Sequence, residues 1–542
     1  MSGVTVVMAQ MNPVVGDLTG NTDRVLALAR EAIERHEADI IVFPEMCLTG
    51  YPPEDILLRP GLYPQVQAAL DRLCEARLPA VLVVGYPMTD ALDERFNMAA
   101  WIDHGRIEAV YMKQFLPNYG PFDEKRYFSP GKQACVIEHK GVRFGLLICE
   151  DIWKPTAVER TVEAGAEVLL NMNASPFHAE KQSDRLAVVR RRVDEFGRPV
   201  IYVNQVGGQD ELVFDGASFA VDAGGEVRVQ APAFEEGLTP VRIERQGDGA
   251  TILAGEQAPL PRAEARLYGA LVTGVRDFID KNGIPGIVLG LSGGIDSALT
   301  LAVAVDALGP ERCEAIMMPF HYTAQASVED AEAEARTLGV KFSVLPIAPG
   351  FDGMARLLQA RLPEISGVTE ENLQARLRGV ALMAVSNASG SLVLSTSNKS
   401  ETAVGYTTLY GDMVGGYAPL KDVLKTQVYE LARWRNRQSP VIPERVITRP
   451  PSAELRPDQV DQDSLPPYEV LDRIIHAYVV EQKTPEAIIA EGIEREAVHR
   501  AIELINRNEY KRRQAPPGVR VTTRSFGRDR RYPITSRYHE PI

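Results

Sequence analysis

Three residues in the first third of the chain stand at or just past apolar runs. Glu45 follows "ADIIVFP", Lys113 closes "GRIEAVYMK", and Cys149 follows "GVRFGLLI". Strand ends are where α/β folds concentrate their working side chains. Together the three can perform acyl transfer. Cys149 would be the nucleophile, Glu45 the base that takes its proton, and Lys113 a fixed cation facing the oxyanion that develops on the attacked carbonyl. Taken singly each has a plainer reading: an isolated buried cysteine is usually inert, a lone lysine is solvated, and a glutamate after a proline caps a turn. It is their complementarity that favours chemistry.

A second constellation lies at "LGLSGGIDSALTLAVAVDALG", Leu289 to Gly309, where an apolar run enters a glycine-rich turn that opens into a helical pattern. A Walker loop would place Gly-Lys-Ser/Thr after its glycines, whereas this loop has Ile295 and Asp296 there. Ser292, Gly293 and Gly294 are small enough for backbone N–H groups to converge on an anion at a helix start. Asp296 would be repelled by bare phosphate, so its presence predicts a metal-bridged nucleotide. A lone Ser-Gly-Gly is as readily a hairpin turn; the strand, SGGIDS and helix in succession are far more specific.

The elements that must position these groups alternate. "NTDRVLALAREAIERHEAD" predicts a helix with Val25, Leu26, Ala29 and Ile33 on one face, and "SDRLAVVRRRVDEFG" predicts another. "ADIIVFPE", "AVLVVGYP", "GRIEAVYMKQF", "GVRFGLLICED", "AEVLLNMNAS" and "RPVIYVNQVGG" read as strands between turn signals. The rhythm resumes in the second half, with "GIVLGLS", "CEAIMMPF", "VKFSVLPI" and "GSLVLSTSN" as strands and "SVEDAEAEARTLG" and "KTQVYELARW" as helices. Between about Gly224 and Pro261 the chain is rich in Gly, Pro and Glu, which places a domain boundary near residue 260.

At 542 residues the chain is long enough for two large domains or several average ones. It has no apolar run of about 18 residues to span a bilayer and no basic, apolar leader, so the cytoplasm is the expected compartment. The five cysteines contain no CxxC pair, which indicates neither a disulfide framework nor a zinc site. A net charge of −14 argues against nucleic-acid or anionic-membrane partners, though not against a small anion in a basic pocket.

"FPEMCLTGY", "KQFLPNYGPFDEKRYFSPG" and "LLICEDIW" resemble, in order and context, the three catalytic segments of the nitrilase (carbon–nitrogen hydrolase) superfamily over about residues 4 to 230. The resemblance implies an α-β-β-α sandwich domain over residues 1–260, with Glu45, Lys113 and Cys149 as its triad and Glu124 as a supporting glutamate. In glutamine-using members, residues matching Tyr119, Ser175 and Lys181 hold the substrate. The loop Gly290, Leu291, Ser292, Gly293, Gly294, Ile295, Asp296 and Ser297 resembles that of the ATP pyrophosphatase group, whose members cleave ATP between its α- and β-phosphates.

With "TEENLQARLRG", "LSTSNKSETAVGYTTLYGDMVGGYAPLKDVLKTQVYELA" and "EYKRRQAPPGV", the second half resembles the NAD synthetases, implying a Rossmann-like parallel-sheet domain over residues 261–542. By that likeness Thr396 contacts ATP, Asn372, Glu401 and Lys511 contact deamido-NAD, and Asp296 and Glu401 lie at a Mg²⁺ that accompanies ATP. Residues 511 to 537 carry nine Lys or Arg against the single acid Asp529, positive charge where an anionic substrate needs it, or else a disordered basic tail; "APPG" and the interspersed Phe526, Tyr532 and Ile534 favour a tail pinned to the surface.

The combined resemblance implies that glutamine hydrolysis supplies ammonia to an adenylated deamido-NAD. Because ammonium is a poor nucleophile, a covered route is expected, and a homo-oligomer is a natural way to build one. Two rivals stand beside this reading: another amidotransferase with the same loop, such as a GMP or asparagine synthetase, and a non-catalytic nucleotide-binding protein.

Overall fold

The computed structural model describes residues 3–246, 249–457, 459–463, 465–538 and 540. The chain divides into two compact units, Met1–Arg262 and Ala263–Ile542. Among the described residues no helix is long and apolar enough to cross a membrane.

The first unit contains fifteen strands among its described residues: β1 (Val4–Gln10), β2 (Ile40–Val42), β3 (Val81–Thr89), β4 (Arg95–Asp103), β5 (Arg106–Met112), β6 (Val136–His139), β7 (Val142–Ile148), β8 (Val168–Asn173), β9 (Val200–Asn204), β10 (Val206–Gln209), β11 (Leu212–Asp215), β12 (Phe219–Val221), β13 (Val227–Gln230), β14 (Gly237–Gln246) and β15 (Gly249–Ile252). They form one sheet in the order β15-β14-β1-β2-β3-β4-β5, a second in the order β13-β12-β9-β8-β7-β6, and the hairpin β10-β11. In each large sheet three central strands run parallel, β1-β2-β3 and β7-β8-β9, and the flanking pairs are antiparallel.

Side-chain alternation builds the layers. On β1, Val4, Val6 and Met8 point into a core shared with Phe144, Leu146 and Ile148 of β7, while Val7 and Ala9 pack with Val25, Leu28 and Ala29 of helix α1 (Leu18–His36). On the second sheet Leu147, Leu169 and Tyr202 face away from that shared core, toward Val158 of α3 (Pro155–Glu163) and Val189 of α4 (Lys181–Phe196). Helix α2 (Leu62–Glu75) joins α1. Apolar residues on both faces of the central strands therefore specify the four-layer α-β-β-α sandwich expected from the sequence. The Gly- and Pro-rich residues after Gly224 are no loose linker. They hold β13, β14 and β15, and β14 pairs with β1 to complete the first sheet.

The second unit has a parallel sheet of β16 (Ile287–Gly290), β17 (Cys313–Met317), β18 (Lys341–Val344) and β19 (Leu392–Val393) in the order β18-β17-β16-β19. This Rossmann-like order reverses direction beside β16, and ligands in such sheets bind at that switch point. Helices α5 (Ala263–Lys281), α6 (Ile295–Leu308), α7 (Gln325–Leu338), α8 (Ala348–Leu358), α9 (Val368–Ser389), α10 (Lys399–Val404) and α11 (Lys425–Gln438) surround it. Strand β19 is shorter than "GSLVLSTSN" predicts. After Leu394 the chain leaves the sheet, and the Ser395 N–H donates to the Tyr417 carbonyl instead.

One close approach sets the first unit's working end. A β-carbon at Gly85 of β3 would stand 2.4 Å from the Met46 nitrogen and 2.8 Å from the Pro44 carbonyl oxygen, both backbone atoms of the turn that carries Glu45. Gly85→Ala should therefore displace that turn and cost about 1–3 kcal/mol. Thermal melting of the first unit's transition checks this: a midpoint lowered by several degrees is expected, and an unchanged midpoint would contradict the packing.

Candidate active sites

Glu45 lies three residues beyond β2 and is fully buried. Its Oε1 accepts from the Lys113 ammonium at 2.7 Å and from Asn97 Nδ2 of β4 at 2.7 Å, and its Oε2 accepts from the Ala174 N–H at 3.0 Å. Lys113, immediately after β5, also donates to both oxygens of Glu124 at 2.8 Å, and the Tyr51 hydroxyl donates to Glu124 at 2.8 Å. Burial alone would pull the lysine's pKa down, but the Glu124 and Glu45 carboxylates outweigh it and hold the ammonium well above its ordinary range. Burial pushes Glu124 up, against Lys113.

Cys149 is the first residue of a tight turn, Cys149–Trp153, that ends β7. Its φ of 44° is left-handed, a conformation that costs a non-glycine residue about 1–3 kcal/mol and marks over-determined sites. Burial, reinforced by Glu45, pushes its thiol well above the usual range, so the resting group is a neutral thiol that needs a base.

The expected glutamine-holding residues surround this turn. The Tyr119 hydroxyl, on a residue 54 % exposed, donates to Glu150 at 2.8 Å. Ser175 follows the Ala174 that binds Glu45, and its Oγ accepts from the buried Arg185 at 3.2 Å. The Lys181 ammonium, at the start of α4, lies 4.4 Å from the ring centre of Trp153. Sequence reasoning missed Asn97, Tyr51 and Asp151. Only Asp151, two residues from the cysteine, carried a local signal.

In the second unit a cavity of about 730 Å³ opens at the end of β16. Gly290, Leu291, Ser292, Gly294, Ile295, Asp296 and Ser297 line it together with Thr396, Asn372 and Glu401. Within the loop, Ser297 Oγ donates to the Gly294 carbonyl at 2.9 Å and accepts the Ser292 N–H at 3.2 Å. Gly293 of the loop lies close against α7. A β-carbon there would meet the Ser327 carbonyl oxygen at 2.3 Å, and its own carbonyl accepts from Arg449 at 3.1 Å.

Asp296 Oδ1 accepts from Asn398 Nδ2 at 2.8 Å, and its Oδ2 accepts from the Lys425 ammonium, which also donates to Glu401 at 3.1 Å. Two carboxylates thus share one buried lysine. Asn398 also caps α10 by accepting the Glu401 N–H at 2.9 Å. Arg378, Arg449 and Arg456 add positive charge to the wall, none of them foreseen from sequence. Asn372 accepts from the Thr408 hydroxyl at 2.7 Å. Lys511 lines a neighbouring hollow of about 300 Å³ that shares Gly405 and Tyr406 with the larger cavity, and its ammonium donates to the Gly405 and Thr407 carbonyls at 2.8 Å.

The basic tail is pinned to the surface, with Phe526 buried. Arg512, Arg520 and Arg530 are buried and bind the Ala403 carbonyl, Asp529 and Glu509, so much of the tail's charge is used to dock it. Among the described residues no group of three or more His, Cys, Asp or Glu is arranged to hold a metal ion.

Burial pushes Glu401 above the usual carboxylate range, opposed by Lys425 and reinforced by Asp296. A carboxyl whose folded pKa is raised is neutral below its unfolded value, near 4.3 for Glu. Its cost to stability is absent below that value, grows as pH rises from there to the folded value, and is complete above it. Lys425→Met should therefore destabilise the second unit by about 3 kcal/mol or more above neutrality, and by less in mild acid. Urea unfolding at about pH 5.5 and about pH 8.5 measures the difference, and equal losses at both would contradict the coupling.

Residues 5–252 match the carbon-nitrogen hydrolase family model and residues 267–515 the NAD synthase model. The chain is 48% identical to glutamine-dependent NAD(+) synthetase of Acinetobacter baylyi, covering 99% of each, and 41% identical to that of Thermotoga maritima, covering 100% of each. A solved structure of glutamine-dependent NAD+ synthetase from Acinetobacter baumannii, in complex with adenosine diphosphate, matches with a TM-score of 0.80 at 46% identity over 98% of both chains. With such identity from end to end and both family models matched in order, the chain belongs to the glutamine-dependent NAD(+) synthetases.

Proposed function

We propose that this chain amidates deamido-NAD to NAD, taking nitrogen from glutamine and energy from the cleavage of ATP to AMP and pyrophosphate. The observation that carries the proposal is the occurrence of two separate reactive constellations in one chain. One is Cys149 with the buried Glu45–Lys113 pair, and the other is the SGGIDS loop with Asp296 and Glu401 joined at Lys425.

In the first unit the Cys149 thiol passes its proton to Glu45 as sulfur attacks the side-chain carbonyl of glutamine. Lys113, kept charged by its two carboxylates, faces the developing oxyanion. Glu45 returns the proton to the departing nitrogen, and ammonia leaves a thioester on Cys149. Water, deprotonated by Glu45, then releases glutamate and restores the thiol. Glu124 and Tyr51 hold Lys113 in place. Tyr119, Ser175 and Lys181 orient the amino-acid end of glutamine.

In the second unit the nicotinate carboxylate of deamido-NAD attacks the α-phosphorus of ATP and expels pyrophosphate onto the loop's N–H groups. Ammonia attacks the resulting acyl adenylate and AMP leaves. Thr396 and residues 290–297 contact ATP. Asn372, Glu401 and Lys511 contact deamido-NAD. Asp296 and Glu401 are hard oxygen donors that would hold a Mg²⁺ accompanying ATP, which would neutralise phosphate charge there. A homo-oligomer working in the cytoplasm accords with the need to keep ammonia covered and unprotonated.

Two substitutions test the assignment. Cys149→Ala should abolish NAD formation from glutamine yet leave formation from ammonium salts at alkaline pH intact, because only the thioester is lost. Retained glutamine use would remove Cys149 as nucleophile. Asp296→Asn should lower synthesis by roughly a hundredfold or more with either nitrogen source, and near-normal rates with either would remove Asp296 from the nucleotide site.

A further inference from the structure

Asp151 is fully buried and sits two residues after the nucleophile. Its carboxylate accepts four hydrogen bonds. Oδ2 takes the Ile148 N–H at 3.0 Å and the Tyr111 hydroxyl at 2.8 Å; Oδ1 takes the Gln114 N–H at 3.1 Å and the Phe115 N–H at 2.9 Å. Ile148 immediately precedes Cys149, while Gln114 and Phe115 immediately follow Lys113. Strand β7 belongs to one sheet and β5 is the edge strand of the other. A single carboxylate therefore joins the chain entering the cysteine to the chain leaving the lysine across the two sheets.

We infer that Asp151 is a positioning residue for the glutamine reaction, stapling the Cys149 turn to the Lys113 segment so that sulfur, base and cation meet in reactive register. Accepting the Ile148 N–H from the third position of the turn fixes the intervening residue, Cys149, at its left-handed φ. The partners are themselves held, since Arg160 donates to the Gln114 side chain at 2.9 Å and Gln114 donates to the Tyr111 hydroxyl at 3.3 Å. Asparagine at 151 has one carbonyl oxygen for four donors and turns an amide N–H₂ toward two of them, so the two segments must part. A shift of about 1 Å at reacting groups is enough to cost on the order of a hundredfold in rate.

The inference rests on Cys149 as the nucleophile. The test is steady-state glutamine hydrolysis by the full-length enzyme carrying Asp151→Asn. The expected result is a kcat lowered by roughly a hundredfold with KM for glutamine within about threefold of the parent. NAD formation from ammonium should be unchanged. A fraction of unfolded enzyme would also lower apparent kcat at constant KM, so a parent-like melting midpoint of the first unit in the variant is what separates positioning from loss of folding. Parent-like kcat in the folded variant, or a loss confined to KM, overturns the positioning role.

Cys149→Ala in parallel keeps the two failures apart. Surviving glutamine use there removes the nucleophile and the inference with it, whereas its loss there beside parent-like kcat in Asp151→Asn removes the inference alone. Should Asp151→Asn not fold, Tyr111→Phe withdraws one donor from the same carboxylate, and kcat should fall roughly three- to tenfold at constant KM. An unchanged kcat in that variant overturns the proposal.

Discussion

The buried Lys113 ammonium, seated between the Glu45 and Glu124 carboxylates, is the constraint on which the first unit depends. Its side chain is 0 % exposed, and so is that of Glu45. Charges so far from water are tolerated only when each has its partners in good geometry, and removing one of them commonly costs about 3–5 kcal/mol. The three groups come from the turn after β2, the end of β5 and the short turn Glu124–Arg126. No local element can assemble them, so the whole four-layer sandwich must close in register for the lysine to be satisfied. Gly85 permits β3 to pass close behind the Glu45 turn, and Ala174, beyond β8 of the other sheet, supplies Glu45 with its last donor. Burial and the nearby Glu45 carboxylate also push the Cys149 thiol up, which is why the proposed reaction needs a base.

The second unit repeats the device with a different degree of exposure. Lys425 at the start of α11 joins Asp296 at the start of α6 to Glu401 in α10, and so fixes three helix beginnings around the switch point of the parallel sheet. Here the carboxylates keep some contact with the cavity, 17% and 16% of their side chains respectively. That residual exposure leaves the carboxylates open to a ligand in the cavity, whereas Lys113 and Glu45 bury their charges completely. The buried arginines of the tail extend the logic. Arg512 and Arg530 lie over the Phe526 ring and meet at Glu509, so the basic run that might have trailed in solvent is packed against α10.

Much of this was legible in the sequence because strand ends, a strand-to-helix glycine loop and apolar alternation are local signals. Glu45, Lys113 and Cys149 stand at the ends of apolar runs and the alternation of strands and helices implies a layered sheet, while the four-layer sandwich follows only from the nitrilase resemblance. Asn97 and Tyr51 were not found because each matters through a partner 52 or 73 residues away, and Asp151 was not because three of its four partners lie 36 to 40 residues away. Arg378, Lys425 and Arg449 read as ordinary helix or loop charges, and only the tertiary fold turns them into the cavity. Gly293 shows what motif reading leaves out: besides its place in the loop, its backbone packs closely on α7. The stretch after Gly224 shows another, since glycine and proline mark turns without saying that the short runs between them pair across the sheet.

The central claim is that Cys149, activated by the buried pair, carries the glutamyl group covalently. Rapid acid quenching of the enzyme soon after mixing with glutamine, followed by mass spectrometry of the peptide that contains Cys149, tests it directly. The account predicts a glutamyl increment on that peptide that appears before glutamate accumulates and decays as hydrolysis completes. Glutamate formation with no increment on Cys149 at any time, or with the increment on another cysteine, would contradict it.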